Sequence, residues 1–128
     1  MFLFKLFKAI KNKEKFYLNN YGNHKRDFTY IKDLIDVLAK LMLKKDIKHN
    51  IYNISSNNPI NIKKIINHFK SKYSFSLIPT NKHIADVLHT HGSNKKVFHK
   101  VKKKKLTKSE KGIENTFNWY NKNKIYKI

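Results

Sequence analysis

Apolar side chains recur at three- and four-residue intervals along this chain, and short β-rich runs fall between those stretches. Phe2, Leu3, Leu6, Phe7 and Ile10 share one face of an opening helix. Leu34, Val37, Leu38, Leu41 and Met42 mark a second helix. Asp33 sits near its start, where a carboxylate favours the free N–H groups and the positive end of the dipole. Ile62, Ile65, Ile66 and Phe69 predict a third helix, capped by Asn61. Ile113, Phe117 and Tyr120 predict a last one, with Thr107 and Glu110 at capping-box spacing before it. Ser93 is read as the cap of a short helix carrying Val97 and Phe98. Strands are expected at Phe16 to Asn19, Asn50 to Ile54 and Ser74 to Ile78, the last closed by Pro79. Asp27 to Ile31 reads as a further strand or an extended arm. Tyr21-Gly22-Asn23 and Asn57-Asn58-Pro59 are turns, with Gly22 free to take positive φ. The alternation predicts an α/β fold, a small mixed lobe of short strands and helices forming one domain over residues 1–128. The polar segment 80–105 is expected to be a loose, basic part of it.

Composition adds limits. There is no cysteine, hence no disulfide frame and no thiolate metal site, which fits a reducing compartment; a cytoplasmic location is expected. No apolar run approaches the roughly 20 residues that cross a bilayer. Met1 to Ile10 lacks a small-residue cleavage site and reads as helix, not as a signal peptide. The net charge of +21 has two readings: a polyanion partner, or lysine spread by AT-rich codons over every exposed face. Lys102 to Lys105 is the only solid run, and no RNP-like, zinc-finger or arginine-rich element accompanies it. Non-specific, salt-sensitive sticking to polyanions is expected either way. A small basic protein binding nucleic acid or anionic surfaces is therefore the alternative function.

One basic residue stands apart. Arg26 is the only arginine among 29 lysines and arginines. Lysine replaces arginine cheaply on a solvated surface and badly where a planar fork must grip a phosphate or carboxylate. Arg26 is thus either an anion grip or a structural ion pair with Asp27 or Asp33.

The segment around Arg26, Asn20 to Asp33, resembles the N-Y-G-N-x-x-R-D-F-T-Y-I-D-D stretch of NAD-dependent nucleotide-sugar epimerases and dehydratases, the extended short-chain dehydrogenase/reductase family. Within it, the UDP-glucuronate 4-epimerase branch of capsule and surface-polysaccharide synthesis is the nearest likeness. Phe4-Lys5 and Lys8-Ala9-Ile10 resemble the helix before that motif. Tyr52-Asn53-Ile54 with Asn57-Asn58-Pro59 resembles the Y-N-I-G-N-x-x-P strand and turn after it. Ala85-Asp86-Val87 stands where the family has G-D-V, and Gly112-Ile113 with Trp119-Tyr120 resembles its last helix.

That resemblance implies the C-terminal substrate lobe of such an enzyme, closing over a UDP-sugar. It places Arg26 on the diphosphate, Tyr17 and Leu18 on the strand whose backbone reads uracil, and Asp86 in the loop over the phosphates. Tyr30 and Asn53 match positions shaping the pocket and turn, and each fits plain packing equally well. His83 or Ile84 falls near the family's second diphosphate-binding side chain. Lys32 replaces the first Asp of the D-D pair, and the downstream T-Y-A-D has become Thr90-His91-Gly92-Ser93.

The family's NAD turn, G-x-x-G-x-x-G, is missing, since the only glycines are Gly22, Gly92 and Gly112. The Tyr21/Lys25 and Tyr120/Lys124 pairs have Y-x-x-x-K spacing outside the catalytic setting. No cofactor site and no catalytic residue is therefore expected in this chain, and NAD belongs to the full-length family. The expectation is a fragment of a broken or split gene, inactive alone, which could dock with a separately made Rossmann half. Such a lobe should expose an apolar patch when alone. His89-x-His91, with His83 and His99 nearby, lacks a third ligand at convincing spacing, and no metal site is expected.

Overall fold

The computed structural model describes residues 2–45, 51–102 and 105–123. Helix α1 (Phe2–Asn12) leads into strand β1 (Lys15–Leu18). A short 3-10 turn (Asn19–Gly22) then delivers the chain to strand β2 (Lys25–Arg26). Helix α2 (Ile31–Met42) follows, then β3 (Ile60–Asn61) running straight into α3 (Ile62–Lys70). Strand β4 (Ser76–Pro79) and helices α4 (Lys95–Val101) and α5 (Ser109–Lys122) complete the mixed α/β lobe.

Two minimal sheets hold it together. β1 and β4 run parallel, Phe16 opposite Leu77 and Leu18 opposite Pro79. β2 and β3 run antiparallel, Lys25 opposite Asn61 and Arg26 opposite Ile60. Strand alternation turns Phe16 and Leu18 into the core and Lys15 and Tyr17 outward. The main core is the meeting of α1, α3 and α5 over these inward residues. Phe7, Phe69 and Phe117 form its centre, with ring centroids 5.0 to 5.8 Å apart in tilted and edge-on arrangements. A second, smaller cluster joins Val37 and Leu41 of α2 to Val97 and Val101 of α4, with Tyr52, Ile54 and Phe98 against it.

Several local expectations hold for the stated reason. Asn61 caps α3, its side chain accepting from the Lys63 N–H at 2.8 Å. Gly22 has φ +75°, and Asn20 and Tyr21 before it are also left-handed. A Cβ on Gly22 would meet the Lys63 side chain at 2.9 Å, so the turn needs glycine twice over.

Other expectations need correction. Residues 51–54 form no strand: the chain is extended in propensity, yet no neighbouring strand lies alongside among the described residues to share its hydrogen bonds. Asn50 lies outside the described residues. Asp27 to Tyr30 takes the second of its two readings, an arm without strand pairing, because the antiparallel partner β3 is only two residues long, and Ile31 already begins α2. Asn94, not Ser93, precedes α4, and it caps nothing with its side chain, which donates to Ser55 O instead. The Thr107/Glu110 box is not formed: Lys108 holds the capping position, and the Thr107 N–H goes to Asp33 Oδ2 at 2.8 Å. On α2, Val37 and Leu41 are buried as expected, but Leu38 and Met42 face outward, Met42 at 85% exposure.

Candidate functional site

Five parts of the chain converge on one cleft of about 240 Å³. The end of β1 supplies Tyr17, Leu18 and Asn19, the arm into β2 supplies His24 and Arg26, and α1 supplies Phe2 and Lys5. Ile62 at the start of α3 closes one side, and Asp86 comes in from the long connection after β4. That connection is strapped down by backbone bonds on both edges of Lys25: its N–H donates to Leu88 O at 2.9 Å and its carbonyl accepts from Thr90 N at 3.1 Å. So the Asp86 carboxylate is brought over the cleft by main-chain pairing, independent of its own charge.

Polar contacts concentrate on Asp86. Arg26 Nη2 donates to Asp86 Oδ1 at 2.9 Å, and Arg26 Nη1 donates to the Lys25 carbonyl at 3.0 Å. Asn19 Nδ2 donates to Asp86 Oδ2. His24 Nε2 stands 3.1 Å from that same oxygen. Both members of the Arg26–Asp86 pair keep about a quarter of their side-chain surface open to solvent (24% and 25%). An ion pair of that exposure is worth little and can be opened by a competing anion. Lys5 adds a second cation at the rim.

A second carboxylate fixes the loops beneath. Asp27 accepts from the Ser56 hydroxyl, from Gly92 N at 3.0 Å and from Asn58 N at 3.4 Å. Burial alone would raise its pKa, but the bonds from Ser56, Gly92, Asn58 and Asn57 together outweigh burial and hold it below 3.8. A Cβ on Gly92 would strike the Ser55 side chain at 2.6 Å, so a glycine is required for this close approach. Arg26 therefore pairs with neither Asp27 nor Asp33: Asp27 ties loops, Asp33 holds the Thr107 amide, and Asp86, sixty positions away, takes the guanidinium.

Of the residues singled out from the sequence, Arg26, Asp86, Tyr17 and Leu18 line the cleft. Tyr30 instead lies against Gly112 of α5, where a Cβ would meet its side chain at 3.0 Å, beside a small hollow of about 50 Å³. Asn53 is exposed on the connection after α2. His83 is exposed, its Nδ1 accepting from Ala85 N at 3.3 Å, outside the cleft lining. Asn19 and His24 are cleft residues that the sequence reading passed over. Strand parity could have found one of them, since His24 and Arg26 are two apart on one extended arm and share a face. Asn19 gave no such signal, because its partner is 67 residues away.

His89 and His91 stack with ring centroids 6.1 Å apart, and His91 Nε2 contacts Asn57 Oδ1 at 2.6 Å. The three glycines do not fit a dinucleotide turn. Gly22 opens the β2 arm, Gly92 lies late in the long connection from β4 to α4 and Gly112 is inside α5; none forms a tight turn leading straight from a strand into a helix. Nothing among the described residues thus offers the pyrophosphate a helix N-terminus behind a glycine turn.

Comparison with known proteins places this geometry. Residues 1–55 match the NAD dependent epimerase/dehydratase family. The stretch includes α1, β1, the left-handed turn, Arg26 and α2. The uncharacterized protein MJ1055 of Methanocaldococcus jannaschii is 30% identical over 128 residues, covering 97% of this chain and 38% of that protein. Protein CapI of Staphylococcus aureus is 24% identical over 139 residues, covering 94% of this chain and 42% of CapI. Among solved structures, UDP-glucuronic acid 4-epimerase from Bacillus cereus, in complex with UDP-glucuronic acid and NAD, superposes with a TM-score of 0.84 at 20% identity. It is matched over 95% of this chain and 40% of the epimerase. MoeE5 in complex with UDP-glucose and NAD gives the same TM-score at 18% identity, over 95% of this chain and 42% of MoeE5. The lobe therefore has the fold of part of these enzymes, and the chain spans about two-fifths of the length of the relatives it matches.

Proposed function

We propose that this chain is the nucleotide-sugar-binding lobe of an NAD-dependent epimerase/dehydratase, of the UDP-glucuronate 4-epimerase type used in surface-polysaccharide synthesis, and that it is inactive alone. The observation that carries the reading is the position of Arg26. The chain's only guanidinium sits in the wall of a concave site, beside a second cation, paired with an aspartate that an incoming diphosphate can displace. A bidentate fork matches two phosphoryl oxygens as it matches a carboxylate. Tyr17 and Leu18 sit at the same mouth, on the strand whose backbone would read a uracil edge, and Asp86 reaches in from the loop above.

The residues present do not fit NAD, which supplies hydride acceptance in this reaction class when bound. The outward apolar residues of α2, namely Ile31, Ile35, Leu38 and Met42, support docking against a dinucleotide-binding half, with cytoplasmic assembly of the pair. Titration calorimetry with UDP and UDP-glucuronate tests the reading. Binding is expected in the micromolar to millimolar range, weakened about tenfold or more by Arg26→Ala, the loss of a charge-assisted contact. Heat of binding that Arg26→Ala leaves unchanged would count against the diphosphate role.

A further inference from the structure

One cleft residue is left with its chemistry incomplete. His24 is 5% exposed, and its Nε2 stands 3.1 Å from Asp86 Oδ2 without making a hydrogen bond to it. That nitrogen is buried with no hydrogen-bond partner among the described residues. Buried polar atoms are nearly always satisfied, so an orphan aimed into a cleft points to a state in which something meets it.

We propose that His24 is a further anion-binding residue of this cleft, protonated when a diphosphate occupies it, so that binding tightens as pH falls. The inference rests on the diphosphate reading above and concerns the same site. In this structure Asp86 is neutralised by Arg26 and held by Asn19. An anion that takes the Arg26 fork strips Asp86 of its cation and places a second negative group next to it. A neutral imidazole with its proton on Nδ1 would then turn a lone pair toward two anions. The imidazolium instead donates from Nε2 to Asp86 or to a phosphoryl oxygen, restoring the lost pairing. Occupancy of the cleft and protonation of His24 thus favour one another, and the coupling is reciprocal.

The other charged groups around His24 are accounted for. Lys25 and Arg26 share its arm, Asp86 faces it from the connection after β4, Lys5 lines the cleft from α1, and Lys63 of α3 lies against Gly22; His89 of that same connection bridges Lys25, and any slope it caused would survive the His24→Met variant below. Lysine, arginine and aspartate side chains do not ordinarily titrate between pH 6 and 8, and histidine does. One added charge within about 5 Å of a phosphate, near a protein surface, is enough for a change of up to about tenfold in affinity.

UDP-glucose is the probe, because a doubly substituted diphosphate does not titrate in this range. Calorimetry of the 128-residue chain at pH 6, 7 and 8 is expected to show affinity rising about three- to tenfold from pH 8 to pH 6. The accompanying heat should depend on the ionisation heat of the buffer, as proton uptake requires. His24→Met, which keeps an apolar side chain of similar bulk at the buried site, should still bind and lose the pH slope. A flat wild-type profile, or a slope that survives His24→Met, overturns this inference and leaves the diphosphate reading standing. No binding at any pH removes both. If His24→Met does not fold, the ring resonance of His24 in the unaltered chain decides: its titration midpoint must rise on saturation with UDP-glucose, and an unmoved midpoint overturns the proposal.

Discussion

Helices α2 and α3 are both amphipathic, and the fold completes only one of them. Every apolar residue of α3 that the spacing puts on one face, Ile62, Ile65, Ile66 and Phe69, is buried against α1, α5 and β1. Of the apolar residues of α2 only Val37 and Leu41 are buried, against α4, while Ile31, Ile35, Leu38 and Met42 remain in solvent. The same periodicity made both helices. What differs is the number of elements available to cover them: α3 sits in the middle of a three-helix core, and α2 lies at the margin with a seven-residue helix for company. Periodicity therefore reports that a face is apolar, and only the surrounding layers say whether anything reaches it.

The sharpest way to break this contrast is in the centres of the two clusters. Phe69→Ala should cost about 3–5 kcal/mol, and Val37→Ala, with a smaller side chain in a shallower cluster, about 1–3 kcal/mol. Urea unfolding monitored by circular dichroism reads both, and equal losses would mean that the two clusters are one cooperative core. Next in size is the site between them: Arg26→Ala should cut affinity for a UDP-sugar about tenfold while moving stability by less than about 0.5 kcal/mol, as expected for a partly exposed pair.

Asp27 ties the loops under that site, and its loss should depend on pH. Because its folded pKa lies below the ordinary 3.8, its contribution is fully present above that value and disappears as pH falls through the lowered one. Asp27→Asn should therefore destabilise by about 1 kcal/mol near neutrality, the worth of a part-exposed charged hydrogen-bond cluster, and by progressively less in acid below pH 3.8. A penalty that grows on acidification would show that the carboxylate is not held by these donors.

Smallest of all should be the outward face of α2. Ile35→Lys or Met42→Lys in the lone chain should change unfolding free energy by less than about 0.5 kcal/mol, yet reduce binding of an apolar dye and self-association. A large loss of stability would mean that this face is already covered. Retention on DNA measures the lysine-rich surface in the same chain: counterion release predicts that it fades by about 0.2 M salt without sequence preference.

Much of this was legible in the residues alone. The buried faces of α1, α3 and α5, the Asn61 cap and the left-handed Gly22 follow from local spacing and backbone sterics, which need no distant partner. Arg26 stood out as well, as the one guanidinium among 28 lysines, and it lies in the cleft wall. Tertiary structure alone decided the rest, since each such feature depends on a group far away along the chain. It set Asp86, and not the adjacent Asp27, as the arginine's partner; it left residues 51–54 without a strand to pair with among the described residues; and it turned a histidine no motif had marked into the orphaned wall of the cleft.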